Sequence, residues 1–579
     1  MRRVILLMLV PLMACAGVSA QSTDIEAIIA YSGVSSAEEL DETQVEYLQH
    51  LLRNPLRINV ASDSALRKSG LFSRYQIASL RDYISRHGEV LSYSELSSID
   101  GFGEKFTAKS LPFISLVSHG SAGKTDYSKS GHELTSRLTV KTGKSPSYGF
   151  RYGFSGGTGL DASLSFSRSH DAGSMRPDAF AGGISLAFRR IPVEVLAGCF
   201  NARFGQGLAL WNGFSPGGNS YPSSFMRRSP GVSLSRSFTG NYSMKGIAGS
   251  LDLGKLEISV LAATDRKDDK LSLLPALNMS YVMRNGQIGF THYSDFMFSS
   301  SDVSLPDMKT SADMAFCMKG VDIFAETALD WTTFSAAFLA GAVCPAGENG
   351  RMAFMLRYYP PDFSPSRSGA AKSLTKCENE AAASFSGEFA RGKSVTSFSL
   401  DAAHFPLRKA DDTGNSIQIK GQAEWTAKIS ESFRLQFKLS ERVRTWGETF
   451  QTGFRSEISY VSGQLKALLR LEARHCAGLS FLSYCEGGYK QNGLAAYLRM
   501  GVFRVDDWDD RIYVYERDAP GSFNVPAFYG RGLWGTVFLS WRLARWAKAY
   551  VRASITSYPF MKKSKPGKAE LRLQIIVDL

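Results

Sequence analysis

The pattern of hydrophobic and polar residues changes once along the 579-residue chain, near residue 117. Before that point apolar residues recur at helical spacing, and one such helix opens at Asp41 and closes before Pro55. Its apolar face is formed by Val45, Leu48, Leu51 and Leu52. The spacing predicts a helical region over residues 21–117, in which residues 21–56 are a helical lead-in.

Two capping boxes place further helices in this region. A serine followed three residues later by Gln or Glu can satisfy free backbone N–H groups at a helix start. Ser73 with Gln76 precedes a helix that ends near Gly88, and Ser92 with Glu95 precedes a short helix that leads to Gly101. Residues 57–117 are therefore predicted to form a small all-α domain.

Strict alternation of apolar and polar residues replaces the helical spacing after residue 118. The clearest case is residues 417–430, where one face is apolar and the other is polar. The apolar positions are Ile417, Ile419, Gly421, Ala423, Trp425, Ala427 and Ile429. Residues 433–440 repeat the alternation after a short turn, as an antiparallel hairpin requires.

The length of these strands favours a transmembrane barrel over a soluble sandwich. A tilted strand needs about 9 to 11 residues to cross a membrane, whereas globular strands average about 5 to 6. Three long alternating segments also close the chain, the last over residues 571–579. The pattern predicts a large all-β transmembrane antiparallel barrel over residues 118–579, with about 20 to 26 strands.

The long connections between strands are expected at one end of this barrel. They are residues 212–242, 295–312, 360–380, 404–415 and 505–532. Barrels of this class place short turns on the periplasmic side and longer loops outside. With both the helical domain and the last strand on the periplasmic side, the strand number is expected to be even.

The first 20 residues have the pattern of a secretory signal peptide. Arg2 and Arg3 precede an apolar run, and Val18-Ser19-Ala20 offers a small-residue cleavage site. An alternative is a lipoprotein box ending at Cys15, which would leave a lipid on that cysteine. Both alternatives predict export, so the barrel is expected in the outer membrane and the helical domain in the periplasm.

Charge and cysteine content narrow the function further. Residues 21–117 carry nine lysines and arginines against thirteen aspartates and glutamates, a net charge of −4, and the barrel region carries +15. Part of this excess could face anionic lipopolysaccharide headgroups, and part could line the lumen and favour anionic solutes. The six cysteines after residue 20 lack zinc spacing. A Cys476–Cys485 disulfide is one alternative, and isolated small apolar residues on strands are the other.

The chain carries none of the phosphate-loop, zinc-protease or nucleophile-elbow motifs that would indicate catalysis. Its eight histidines are scattered without the spacing of metal ligands. Neighbouring pairs such as His170 with Asp171 fall in predicted loops, where solvated surface side chains are common. The sequence predicts that the protein is not an enzyme and needs no cofactor or metal.

Residues 57–117 resemble the tandem helix-hairpin-helix module of competence-protein DNA-binding domains. The turn Gly101-Phe102-Gly103 matches the family's Gly-hydrophobic-Gly pattern, and Lys105 falls where the family often places a phosphate-facing side chain. The first turn, residues 70–72, lacks its second glycine. The resemblance implies contacts between Gly101, Phe102, Gly103 or Lys105 and a DNA backbone. The incomplete first turn, the module's net charge of only +2 and its acidic surroundings favour a structural or protein-docking domain over DNA binding.

Nearly the whole mature chain resembles helix-hairpin-helix outer-membrane proteins of Bacteroidota type. Residues 204–211, Phe-Gly-Gln-Gly-Leu-Ala-Leu-Trp, and residues 523–532 look like motifs of that group. The sequence as a whole predicts transport or assembly of a substrate across the outer membrane, with membrane lipid and a periplasmic or outer-membrane protein as partners. The alternative is a DNA-uptake receptor whose hairpin module captures nucleic acid.

Overall fold

The structure is a computed structural model. It describes residues 24–40, 42–117, 131–156, 159–188, 191–213, 221–267, 270–298, 306–407, 416–561 and 566–579. The predicted signal peptide and Cys15 lie outside the described residues.

Residues 24–117, called the helical domain below, contain six α-helices. They are α1 Asp24–Ser32, α2 Glu42–Arg53, α3 Asp63–Lys68, α4 Arg74–His87, α5 Tyr93–Ser98 and α6 Gly103–Ser110. Ser73 and Gln76 form the expected capping box of α4, which ends at Gly88. At α5 the Ser92 hydroxyl accepts from Glu95 N, whereas the Glu95 carboxylate accepts from Leu91 N instead of closing the box.

The helical domain has its own apolar core, and backbone pairing joins a segment near its start to a segment near its end. Buried side chains from all parts of the domain form one cluster, including Ile28, Leu66, Leu80, Leu96 and Phe113. Residues 56–57 pair in parallel with residues 114–115. The Asn59 side chain joins these ends to the chain before α5, because its amide donates to Val90 O and Leu116 O and accepts from Val90 N.

The rest of the described chain forms a closed antiparallel barrel of 24 strands. The strands are β1 Gly131–Lys141, β2 Ser147–Gly156, β3 Leu160–Arg168, β4 Ala179–Ala187, β5 Val193–Arg203, β6 Met244–Asp252, β7 Leu256–Lys267, β8 Lys270–Met283, β9 Gly286–Phe298, β10 Asp307–Met318, β11 Val321–Asp330, β12 Ser335–Pro345, β13 Gly350–Tyr359, β14 Glu380–Arg391, β15 Ser394–Phe405, β16 Ser416–Lys428, β17 Phe433–Arg444, β18 Thr449–Ser462, β19 Leu465–His475, β20 Leu479–Gln491, β21 Leu494–Val505, β22 Gly530–Ala544, β23 Ala547–Ser557 and β24 Lys568–Asp578.

Each strand pairs with its neighbours in the chain, and β24 closes the barrel on β1 from Glu570–Lys141 to Asp578–Glu133. The fold prediction of a small helical domain followed by a large barrel is confirmed, and the strand number is even and within the predicted range. Among the described residues, no helix has both the length and the apolar character needed to cross a membrane.

The alternation in the sequence sorts side chains between the outer and inner faces of the barrel. On β16, Ile419 and Trp425 are exposed on the outer face, while Gln418 and Glu424 are buried in the lumen. A continuous exposed apolar outer face is what contact with lipid requires. The strands that carry it are 9 to 15 residues long, which matches the membrane-spanning length.

The two ends of the barrel differ. At the short-turn end, where β1 begins and β24 ends, connections such as residues 284–285, 319–320, 392–393, 463–464 and 492–493 are two residues long. At the opposite, long-loop end are residues 204–243, 360–379 and 506–529. All five connections predicted to be long join strands at this end, although parts of residues 212–242, 295–312 and 404–415 lie outside the described residues.

Candidate functional site in the barrel lumen

The helical domain lies inside the barrel lumen. Its side chains form ion pairs with inward-facing residues of the wall. These pairs are Arg53–Glu133, Lys68–Glu194, Arg74–Glu257, Glu39–Lys438, Glu38–Arg470 and Glu26–Lys466. The wall residues belong to β1, β5, β7, β17 and β19, which are spread around the closed barrel. A body that contacts all these sectors must lie within the ring.

The depth of the helical domain follows from which part of each strand it contacts. Glu257 and Gln287, which both accept from Arg74, lie at the short-turn ends of β7 and β9. Lys105 Nζ donates to Asn349 Oδ1 at 2.6 Å in a short turn. The domain therefore fills the short-turn half of the lumen, whereas the sequence predicted a domain in the periplasm and left open whether the lumen was plugged.

Glu38 is the most enclosed carboxylate of this interface. Its Oε1 lies 2.7 Å from Arg470 Nη1 and accepts from Tyr515 N at 2.9 Å, and Arg455 Nη1 lies 3.5 Å from its Oε2. Burial alone would raise the pKa of Glu38, but Arg470 and Arg455 outweigh it and hold this pKa well below its usual range. Glu38 thus joins helical domain, barrel wall and long loop through one charged group.

Long loops descend into the lumen and meet the helical domain from the other side. Arg228 donates to Leu71 O at 2.6 Å and to Tyr31 Oη at 2.5 Å. Gly521 N donates to Gln49 Oε1 at 2.9 Å. Tyr515 and Phe523 pack against the apolar core of the domain. The lumen is thus occupied from both ends, and the helical domain forms a plug beneath a lining of loops.

A buried carboxylate anchors the first of these loops. Glu326 on β11 accepts from Gln206 N at 2.7 Å, Leu208 N at 3.0 Å and Ala209 N at 3.3 Å. Gly205 has φ +56°, and a Cβ there would lie 2.8 Å from Glu326 Oε2. The motif at residues 204–211 therefore needs its first glycine because the backbone folds closely around this carboxylate.

A second buried network anchors residues 360–379. Arg357 on β13 donates to Glu380 Oε1 at 2.6 Å and to Asp401 Oδ1 at 2.7 Å, and all three side chains are at most 7% exposed. Ser373 of the loop joins the same network, since its Oγ donates to Asp401 Oδ2 at 3.0 Å. Inward charges of the wall thus bind this loop as well as the plug.

The two predicted hairpin turns have different surroundings. Gly101 and Gly103 have φ +84° and +63°, both are exposed, and Phe102 between them is buried. The exposed Lys105 contacts Asn349 of the barrel. At the first turn, the carbonyls of Gly70 and Leu71 accept from Arg228, and Leu71 is fully buried. Only the second turn is therefore accessible, and it lies at the short-turn end.

A cavity of about 850 Å³ remains between the plug, the wall around β1–β5 and residues 221–243. Its cationic lining consists of Arg53, Lys68, Arg137, Arg151, Arg203, Arg227, Arg228, Arg236 and Arg572. Its acidic lining consists of Glu39, Glu46, Glu133 and Asp578. Burial, followed by the nearby Arg236, holds the pKa of His50 well below its usual range. The surplus of positive charge in this lining therefore comes from arginine and lysine.

Within the described residues no cluster of His, Cys, Asp or Glu has the arrangement of a metal site. Cys476 and Cys485 are separate thiols, as are Cys199, Cys317, Cys344 and Cys377. These cysteines are therefore isolated and not paired, although Cys377 and Cys476 lie in connections and not on strands as the second alternative predicts.

These features define a transmembrane β-barrel whose lumen contains its own N-terminal helical domain. No protein-family model matches the chain, and no curated protein matches it. Among solved structures, the chain is similar to the copper transporter OprC, with 9% identity, 78% of this chain and 81% of that chain covered, and a TM-score of 0.42. It is also similar to the siderophore receptor PirA from Pseudomonas aeruginosa, with 9% identity, 78% and 80% covered, and a TM-score of 0.42. The P pilus usher PapC translocation pore matches with 8% identity, 78% and 99% covered, and a TM-score of 0.35.

Proposed function

We propose that the protein is an outer-membrane barrel that moves a substrate across that membrane, or assists its assembly there, and that the helical domain is the plug controlling passage. The single observation that carries this proposal is the domain's position inside the lumen, held by ion pairs with strands around the ring. A barrel of this size has a lumen wide enough for a passage or a plug.

The two kinds of barrel end support the orientation. Short turns are typical of the periplasmic side and long loops of the outer side. The edge of the plug that contains α5 and α6 then faces the periplasm. Leu91 and Tyr93 are 74% and 43% exposed there, beside the accessible Gly101 turn. A periplasmic protein that contacts this edge could pull or rotate the plug, which is the partner role we assign to it.

Nucleic acid is the second candidate substrate, and the accessible turn with Lys105 is the observation that favours it. The other turn is covered by Arg228, so a duplex could not contact both turns while the plug is docked. Because phosphate contacts supply most nonspecific DNA affinity, we expect a single weakly basic turn to bind DNA weakly. Passage of other anionic substrates fits the charges of the lumen better.

Reversing one charge of the Glu39–Lys438 pair should open the barrel. Glu39→Lys or Lys438→Glu places like charges together in a partly buried site, where each unit charge interacts more strongly than in water. We expect cells with either variant to become several-fold more sensitive to a large hydrophilic antibiotic, and the double swap to recover most of the resistance. Glu104→Lys, on an exposed residue of α6, is the matched control and should change nothing.

Fractionation of the same cells shows where the protein is located. The wild-type and swapped proteins should be recovered in the outer-membrane fraction and should migrate faster on gels before heating than after it. Recovery as a soluble periplasmic protein would contradict the proposal, as would unchanged antibiotic sensitivity in single variants that are present at the normal level.

A further inference from the structure

The barrel wall is interrupted between β4 and β5. Their ladder contains five residue pairs, from Gly183–Gly198 to Ala187–Glu194, whereas the ladders on either side, β3–β4 and β5–β6, each contain eight. Residues 200–203 of β5 pair instead with the short inner strand of residues 231–234. The long-loop half of β4 therefore lacks its neighbour in the wall.

Gly198 is the point at which the two strands part. Its φ is +103°, and a Cβ there would lie 2.2 Å from Gly182 O. Beyond it Cys199, Phe200 and Ala202 are all buried, so successive residues have lost contact with the outer surface. Strand β5 thus turns away from the lipid-facing surface in its long-loop half.

Residues 235–243, called the gate segment below, occupy the gap. A Cβ on Gly240 would lie 3.0 Å from Ala181 Cβ on β4 and 3.6 Å from Cys199 Sγ on β5, so Gly240 sits between the two strands. The gate segment contacts β5 through the hydrogen bond from Ser235 N to Cys199 O. The Ser165 hydroxyl lies within 3.2 Å of the carbonyls of Ala181, Ser237 and Phe238.

Directly behind the gate segment lies the cationic cavity. Phe238 lines it, with the guanidinium groups of Arg137 and Arg151 at 4.3 Å and 4.8 Å from the ring centroid. Tyr242 also lines the cavity and is 58% exposed, while Phe180 beside the gap is 65% exposed on the outer face. An apolar outer surface and a cationic interior thus meet at one narrow break in the wall.

We propose that this break is a lateral gate through which the cavity takes an anionic amphiphile from the membrane. The apolar tail remains on the side of Phe180 and the lipid, and the phosphate or carboxylate headgroup enters between Arg137 and the neighbouring cations. The inference rests on the proposed outer-membrane location. Since the break lies in the long-loop half, the amphiphile comes from the outward-facing leaflet. Movement of the gate segment out of the gap opens the path.

Photo-crosslinking in liposomes tests this gate. The intact protein carries p-benzoylphenylalanine in place of Phe238, inside the cavity, or of Phe180, on the outer face. It is placed in phosphatidylcholine vesicles that contain fluorescent phosphatidylglycerol or fluorescent phosphatidylcholine. We expect the position of Phe238 to be labelled several-fold more by phosphatidylglycerol, and the position of Phe180 to be labelled by both lipids.

Gly240→Cys supplies a disulfide lock that holds the gate segment against β5, because the new thiol would lie beside Cys199. Oxidation should abolish labelling at position 238 and reduction should restore it, with labelling at 180 unchanged. Ala181→Cys with Gly240→Cys in a Cys199→Ser background is a second lock if the first variant does not fold. Arg137→Gln should remove the preference for the anionic lipid.

Two results would overturn the gate: absence of labelling at position 238 in a heat-modifiable protein that is labelled at 180, or labelling at 238 that persists when the lock is oxidised. These results are distinguishable from failure of the plug, because the Glu39–Lys438 swap reports on antibiotic entry through the lumen and does not depend on Gly240.

Discussion

Glu38→Ala should release the plug from the barrel wall and from the long loop that contains Tyr515. The variant leaves Arg470 and Arg455 without the carboxylate that now lies between them, and it removes the acceptor of Tyr515 N. Arg470 and Arg455 keep Glu457 and Glu472 as partners at 2.8 Å and 2.9 Å, so the cost is that of losing hydrogen bonds to a charged group, about 1.5 to 3 kcal/mol. Since about 1.4 kcal/mol is a tenfold change in an equilibrium constant, the ratio of docked to released plug should fall about tenfold or more.

Single-channel recording in planar bilayers measures this directly. Wild-type protein should be closed for most of the time, and Glu38→Ala should show frequent large openings. Glu104→Ala removes an exposed carboxylate from the same domain and is the matched control. A closed Glu38→Ala barrel with normal heat-modifiable migration would contradict the role assigned to Glu38.

The same residue gives the docked state a defined pH dependence. The pKa of Glu38 is lower in the docked protein than its ordinary value of 4.5 because the charges of Arg470 and Arg455 outweigh burial. The stabilisation is therefore fully present above that ordinary value and is lost as the pH falls below it toward the depressed pKa. Openings of the wild-type barrel should increase below about pH 4.5 and remain rare between pH 6 and pH 8.

The second large effect is expected at Glu326. Glu326→Ala leaves the N–H groups of Gln206, Leu208 and Ala209 without the carboxylate that now binds them. Each unsatisfied buried donor costs about 1 to 3 kcal/mol, and entry of water would recover part of this cost. A net loss of about 2 to 4 kcal/mol should free the loop that contains residues 204–211 from the wall.

Limited proteolysis of intact cells measures the release of this loop. The Glu326→Ala protein should be cut near residues 204–213 at least tenfold faster than wild type, and Glu326→Gln, which keeps one acceptor oxygen, should be intermediate. Glu348→Ala, in an exposed turn at the other end of the barrel, is the control. Equal cleavage rates for Glu326→Ala and wild type would show that the loop is held by other contacts.

Local patterns were sufficient to predict the elements and the class of fold. The alternation around Ile419 and Trp425 predicts an outward apolar face because the side chains of a strand alternate strictly between two sides. The capping box of Ser73 and Gln76 predicts the start of α4 because its partners are three residues apart. Both signals depend on neighbours in the chain, and both are seen in the structure.

The position of the plug depends on pairs that are far apart in the chain. Glu26 and Lys466 are separated by 440 residues, and Glu38 and Arg470 by 432, so no spacing rule connects them. A coarse signal was present nonetheless, since an acidic helical region precedes a strongly basic barrel. Opposite net charges predict attraction but not insertion into the lumen, because the same charges also fit a domain docked outside it.

Glu326 could not be singled out from sequence at all. It lies on an ordinary alternating strand, and its role appears only when residues 204–211 fold inward onto it. The glycines of that motif were visible, but the reason for Gly205, the close approach to Glu326 Oε2, requires the three-dimensional arrangement. The break between β4 and β5 could not be predicted for the same reason. The loss of backbone pairing between two strands does not change the alternation of apolar and polar residues along either strand.

A crosslink between plug and wall tests the central claim, that the helical domain sits inside the barrel. Cysteines replacing Glu39 and Lys438, whose long side chains are now paired, should be joined in native membranes by a short, reducible bis-thiosulfonate reagent that spans the lost ion pair, and the denatured chain should then migrate faster without reductant. Cysteines replacing Glu39 and Leu439, which is 51% exposed on the outer face, should not crosslink. Absence of the first crosslink in a folded barrel, or equal yields for the two pairs, would contradict a plug within the lumen.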